Sequence, residues 1–168
     1  MTMESMAHQL GIQLREIVRL DSARLRSIGE QDSKMRPGGG SGWSRKEELG
    51  HLIDSATNNR IRFIVAALEG KYNGPTYDGT GWVELAGYAD ADWNELVELW
   101  VRSNDALAHA IERIPSERLS AQCKVGDGNP VSLDFLIEDY LLHMQHHLDH
   151  IIDRERQTAY PGAYREAP

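Results

Sequence analysis

LDFLIEDYLLHMQHHLDHII, residues 133–152, decides how the chain folds. Leu133, Leu136, Ile137, Tyr140, Leu141, Met144, Leu148, Ile151 and Ile152 recur at three- and four-residue steps, which places them on one face of a helix. Four of the chain's seven histidines fall in the same segment: His143, His146, His147 and His150. Residues four apart on a helix stack on one side, with Cβ atoms about 5–6 Å apart. Two such pairs are available, His143/His147 and His146/His150. Tyr140, Met144, Leu148 and Ile151 lie beside the first pair. His146 projects with Asp139, Leu142 and Asp153, toward the outer side. Imidazoles turned into a core are costly to leave unpaired, and a shared cation removes that cost. The alternative is a solvated polar flank, or an imidazole cluster at a subunit interface.

Working outward, three more helices are predicted, at about 4–30, 43–70 and 91–114, with the last at 132–156. Leu10, Leu14, Ile17, Val18, Leu25 and Ile28 make the stripe of the first, which the Gly-rich run at 37–42 breaks. Ser44 and Glu47 form a capping box at the start of the second, and Gly70 stops it. Asp92 and Glu95 repeat the capping spacing at the third, which ends before Pro115. Ser132 caps the fourth. The connection at 71–89 is too long for an idle loop, and Tyr72, Tyr77 and Trp82 suit one that packs on something. It can carry the chain back along the bundle, so that the second and third helices run parallel. Residues 120–131 suit a small hairpin around Gly126-Asp127-Gly128. The tail, 157–168, reads as irregular. The expectation is one domain over 1–168, all-α, a four-helix bundle with a long crossover between its second and third helices.

Composition bounds the function. Net charge is −8 with a pI near 5.3. That disfavours nucleic acid and anionic membrane surfaces, both of which are bound through Lys and Arg. A single cysteine, Cys123, allows no intrachain disulfide, and no apolar run approaches a membrane span. A cytoplasmic protein acting on a small molecule is the simplest reading.

A metal site needs a third protein ligand, with a water completing a catalytic one. His51 is a candidate, but periodicity does not point it inward. It shares a face with Asp54, Ser55, Asn58 and Arg62, which can equally be a wet surface. His8, His109, Asp54, Asp139 and Glu138 are the alternatives. Trp43, Tyr77, Trp82, Trp93 and Tyr140 are candidate pocket walls, although aromatics at helical spacing usually belong to the core. Arg60 and Arg62 suit a substrate carboxylate, or else surface ion pairs. Cys123 has no evident His or Asn beside it and reads as a buried thiol.

Trp43-Ser44-x-x-Glu47-x-x-Gly50-His51-Leu52-Ile53-Asp54, followed by His143-Met144-Gln145-His146-His147-Leu148-x-x-Ile151, resembles the DinB/YfiT-like metalloprotein superfamily over nearly the whole chain. The resemblance implies an up-down-down-up bundle. It implies His51, His143 and His147 as ligands of one divalent metal, zinc or nickel, and a homodimer. Related activities include transfer of low-molecular-weight thiols and a mycothiol-dependent isomerisation. The implied chemistry is activation of water or such a thiol, for hydrolysis or S-transfer on a small substrate. A non-catalytic metal-binding or dimeric binding module is the alternative. Asp54, Asp139 and His150, with Glu138, are the candidates to accept or stand behind the ligands' free N–H groups.

Overall fold

The structure, a computed structural model, describes residues 5–37 and 42–160. The expected first residues of the opening helix, most of the Gly-rich break and residues 161–168 of the tail lie outside the described residues. Among the described residues six α-helices form: α1 (Met6–Arg26), α2 (Glu30–Ser33), α3 (Arg45–Glu69), α4 (Gly79–Ala86), α5 (Trp93–Ile111) and α6 (Leu133–Ile151). Three short strands accompany them, β1 (Lys71–Gly74), β2 (Gln122–Val125) and β3 (Val131–Ser132).

Local chemistry sets the ends. Ser44 and Glu47 close a full capping box on α3, and Gly70, at φ 76°, turns the chain out of it. Asp92 accepts from Glu95 N at the start of α5, and Asp78 from Gly81 N at the start of α4. Ser132 does occupy the cap position of α6, but its hydroxyl bonds the Asp134 carboxylate and no backbone N–H. Three helices stop earlier than the periodicity predicts, the third of the four at Ile111. The first breaks at Ser27–Gly29 before α2. The last ends at Ile151, where Asp149 binds Arg154 Nε at 2.6 Å and Gln157 N at 2.7 Å and folds the tail back.

The all-α expectation needs correction, because the chain is mostly helical with a small sheet. β1 pairs parallel with β2, and β2 antiparallel with β3. The Gly126 turn (φ 58°) closes the hairpin and adds a bond from Gly126 N to Gly74 O at 2.8 Å. The long 71–89 connection is likewise structured, as β1, α4 and a 3-10 turn at Tyr88–Asp90.

α1 packs on α5 and α6, and α3 on the same two helices. Their apolar faces meet around Leu14, Phe63, Trp93, Trp100, Leu107 and Ile137. At one end, buried Lys46 of α3 meets Glu30 and the Ala91 carbonyl, while Glu30 accepts from Trp93 N at 3.0 Å. Arg45 Nε donates to Ile151 O at the same end, at 2.8 Å. At the other end Gly70 lies against Arg118, and Asp134 N donates to Leu119 O at 3.0 Å. No described helix is long and apolar enough to cross a membrane.

Candidate metal centre

His51 is aimed inward by what packs around it. A side chain at Gly50 would collide with the Tyr88 ring, so that glycine lets Tyr88 lie flat against α3. Tyr88 Oη then donates to Asp54 Oδ1 at 2.6 Å. The Trp43 ring stands 5.1 Å from the His51 ring, centre to centre. Gly79, opening α4, comes so close that a Cβ there would sit 3.5 Å from His51 Nδ1. The face shared by His51 is therefore no wet surface: Asp54, Ser55 and Arg62 are all buried.

The structure brings His51, His143 and His147 together, one ring nitrogen of each lying within 4.8 Å of the others. His51 Nε2 and His143 Nε2 are 3.2 Å apart. Two nitrogens held about 2.0–2.1 Å from one tetrahedral zinc would be about 3.3 Å apart. The donor set and its spacing thus fit a divalent cation. Neither His8 nor His109 joins the cluster among the described residues. His109 is exposed and lies 3.0 Å from Arg113.

Behind the cluster stands a residue that sequence reasoning missed. Glu48 is 0% exposed. Its Oε1 lies 2.8 Å from His147 Nδ1 and 3.0 Å from His150 Nδ1. An ionised carboxylate can only accept, so both imidazoles donate from Nδ1, and His147 keeps its lone pair on Nε2. Burial pushes the Glu48 carboxyl above its usual range, and the His150 hydrogen bond pulls it back. Burial also lowers His51, and takes His147 down to about 2, with neighbouring imidazoles adding to the effect. His147 is therefore neutral at pH 7, as a metal ligand must be.

The expected supporting residues divide. His150 stands behind His147 through the shared Glu48 oxygen, whereas Asp54 orients Tyr88. Asp139 is half-buried on α6, and Glu138 borders the groove between α1 and α6. His146, expected on the outer side, is half-buried. Its ring packs 4.5 Å from His150, and its Nδ1 is enclosed without a partner among the described residues. Among the aromatics, Trp43 borders the cluster and Tyr77 packs on Trp82 at 5.2 Å. Trp93 and Tyr140 are core: Trp93 Nε1 donates to Leu25 O at 2.9 Å and Tyr140 bonds Asn104. Arg60 is exposed. Cys123 is buried in the sheet, its thiol pushed up to about 11, which leaves it unreactive.

Comparison with known proteins adds two findings. The family model of the DinB superfamily matches residues 13–151. Among solved structures, YfiT from Bacillus subtilis superposes with a TM-score of 0.74 at 22% identity, over 87% of this chain and 84% of that one. It is described as a probable metal-dependent hydrolase with an unusual four-helix bundle topology. The mycothiol-dependent maleylpyruvate isomerase superposes with a TM-score of 0.67 at 14% identity, over 86% of this chain, which spans 60% of the isomerase. A mutant of that isomerase gives 0.72 at 13% identity. At these identities the likeness is one of fold. No curated protein matches the chain.

Proposed function

The chain belongs to the DinB superfamily, and from that premise we propose that it is a metal-dependent enzyme acting on a small molecule. One divalent cation, zinc or nickel, is held by His51, His143 and His147. The observation that carries this reading is the convergence of three imidazoles, one with its lone pair already turned inward by a buried carboxylate. At three neutral ligands a cation keeps its full charge and lowers the pKa of a water or thiol at an open position.

The chain's own residues do the rest. Glu48 fixes the tautomer and orientation of His147 and takes His150 as its second donor. Trp43 and the start of α4 wall off His51. The reaction is hydrolysis or S-transfer from a low-molecular-weight thiol. The second option draws support from the thiol dependence named for the isomerase, and from the lack of a reactive cysteine among the described residues. The protein works as one domain, in the cytoplasm, as a homodimer. The groove of about 640 Å³ between α1 and α6, edged by half-exposed Met6 and Leu20, supports that last point. The up-down-down-up order is supported by the pairing of the α3 and α5 starts around Lys46.

The test is His147→Ala in a screen of thiols and electrophiles. It should lose both metal and turnover. Undiminished turnover in that variant would refute the proposal.

A further inference from the structure

The face of α3 that carries His51 continues through Asp54, Ser55 and Asn59 to Arg62, about three turns further on. Arg62 is 8% exposed. Other buried or half-buried cations of the protein are neutralised. Lys46 meets Glu30 and a carbonyl, Arg154 is held by Asp21 and Asp149, and Arg15 by Glu112. Arg62 has no carboxylate partner among the described residues. Its contacts are a long bond from Nη1 to Asn59 Oδ1, at 3.4 Å, and the face of the Tyr77 ring, 5.9 Å from its central carbon. Leaving a buried cation uncompensated is costly, so such an arrangement needs a reason.

Two further facts supply one. None of the Arg62 nitrogens is among the enclosed polar atoms left without partners, so the guanidinium is not sealed on every side, although the residue is only 8% exposed. The segment that covers it also covers the metal centre. Tyr77 lies over Arg62, and Gly79, two residues on, lies over His51. Roughly 16 Å of helix rise separates the two α3 residues, and the arginine side chain leans back toward the helix start.

We propose that Arg62 anchors a carboxylate of the substrate, whose other end reaches the histidines. The substrate class is then an extended monocarboxylic acid. A planar guanidinium fork matches a carboxylate with two parallel hydrogen bonds. A phosphate offers the same fork but more charge, and among the described residues Arg62 is the one cation that acts on Tyr77, with the buried Asp54 carboxyl close to the same tyrosine. The reactive end of this inference rests on the metal-centre reading, whereas the anchor does not.

The experiment is therefore done on metal-free, full-length protein. Hexanoate, its uncharged amide hexanamide, and inorganic phosphate are titrated calorimetrically into wild type, Arg62→Gln and Arg62→Lys. Hexanoate should bind wild type, with hexanamide and phosphate at least tenfold weaker. Arg62→Gln should weaken hexanoate at least tenfold, and Arg62→Lys should recover part of the loss. Without ligand, Arg62→Gln should melt at or above the wild-type temperature, because it removes an uncompensated charge. Absent hexanoate binding, equal binding in Arg62→Gln, tighter binding of phosphate, or a lower melting temperature for ligand-free Arg62→Gln would each overturn the anchor. Failure here leaves metal uptake unaffected, so the two readings fail separately.

Discussion

The two ends of α3 face opposite kinds of interior. Its C-terminal end runs into β1, where the strands pair, Cys123 is 0% exposed, and Leu119, Ala121 and Leu133 fill the space. The strand ladder satisfies the backbone groups at that end. Its N-terminal half carries Glu48, His51 and Asp54 against His143, His146, His147 and His150. Five enclosed side-chain atoms lack partners among the described residues: Glu48 Oε2, His51 Nδ1, Asp54 Oδ2, His146 Nδ1 and Trp100 Nε1. Four of them lie in the histidine half. Proteins satisfy nearly all buried polar groups, so a concentration of exceptions marks where stability yields to function.

Acid should separate the two ends most strongly. Burial lowers the folded-state pKa of His51, His146 and His147 below the usual 6.5. The unfolded chain then binds more protons than the folded one below that value. The imidazoles' contribution to stability is full above about pH 6.5 and lost as pH falls, at about 1.4 kcal/mol per pH unit for a group as enclosed as His147, and the raised carboxyls of Glu48 and Asp54 offset part of that loss. Chemical denaturation of chelator-treated protein between pH 4 and 8 checks this. A flat profile would mean that the imidazoles are not buried as described.

A smaller effect is expected from Glu48→Gln. Replacing the carboxylate that orients His147 by a neutral amide, whose oxygen accepts more weakly, should weaken metal binding about 10–100-fold, as measured by chelator competition. Cys123→Ala, at the sheet end, should leave affinity unchanged and cost about 1 kcal/mol of stability. Equal affinity in wild type and Glu48→Gln would dissolve the contrast between the two ends.

Much of this was legible in the sequence, and the gaps have physical causes. The four long helices announce themselves through periodicity and caps, and the His143/His147 pair through its spacing beside Tyr140, Met144 and Leu148. His51 was undecided on periodicity, because its direction is set by Tyr88 on Gly50 and by Gly79, both supplied by a distant connection. Glu48 was hidden by its position. An acid in the first turn of a helix, beside the capping Glu47, is ordinary dipole chemistry. Only the arrival of α6 buries it. Arg62 stays open in the sequence between a substrate carboxylate and a surface ion pair, because its cover, Tyr77, belongs to the same connection. The sheet was half visible as a hairpin at 120–131. Its third strand was not, because parallel pairing of β1 with β2 joins segments that no local pattern links.

The most direct test of the central claim is metal content per chain, on untagged protein purified without a nickel column, for wild type, His51→Ala and His147→Ala. The account predicts about one zinc or nickel ion per wild-type chain and none in either variant. Wild-type protein that carries no metal and takes up none when zinc is added would contradict it.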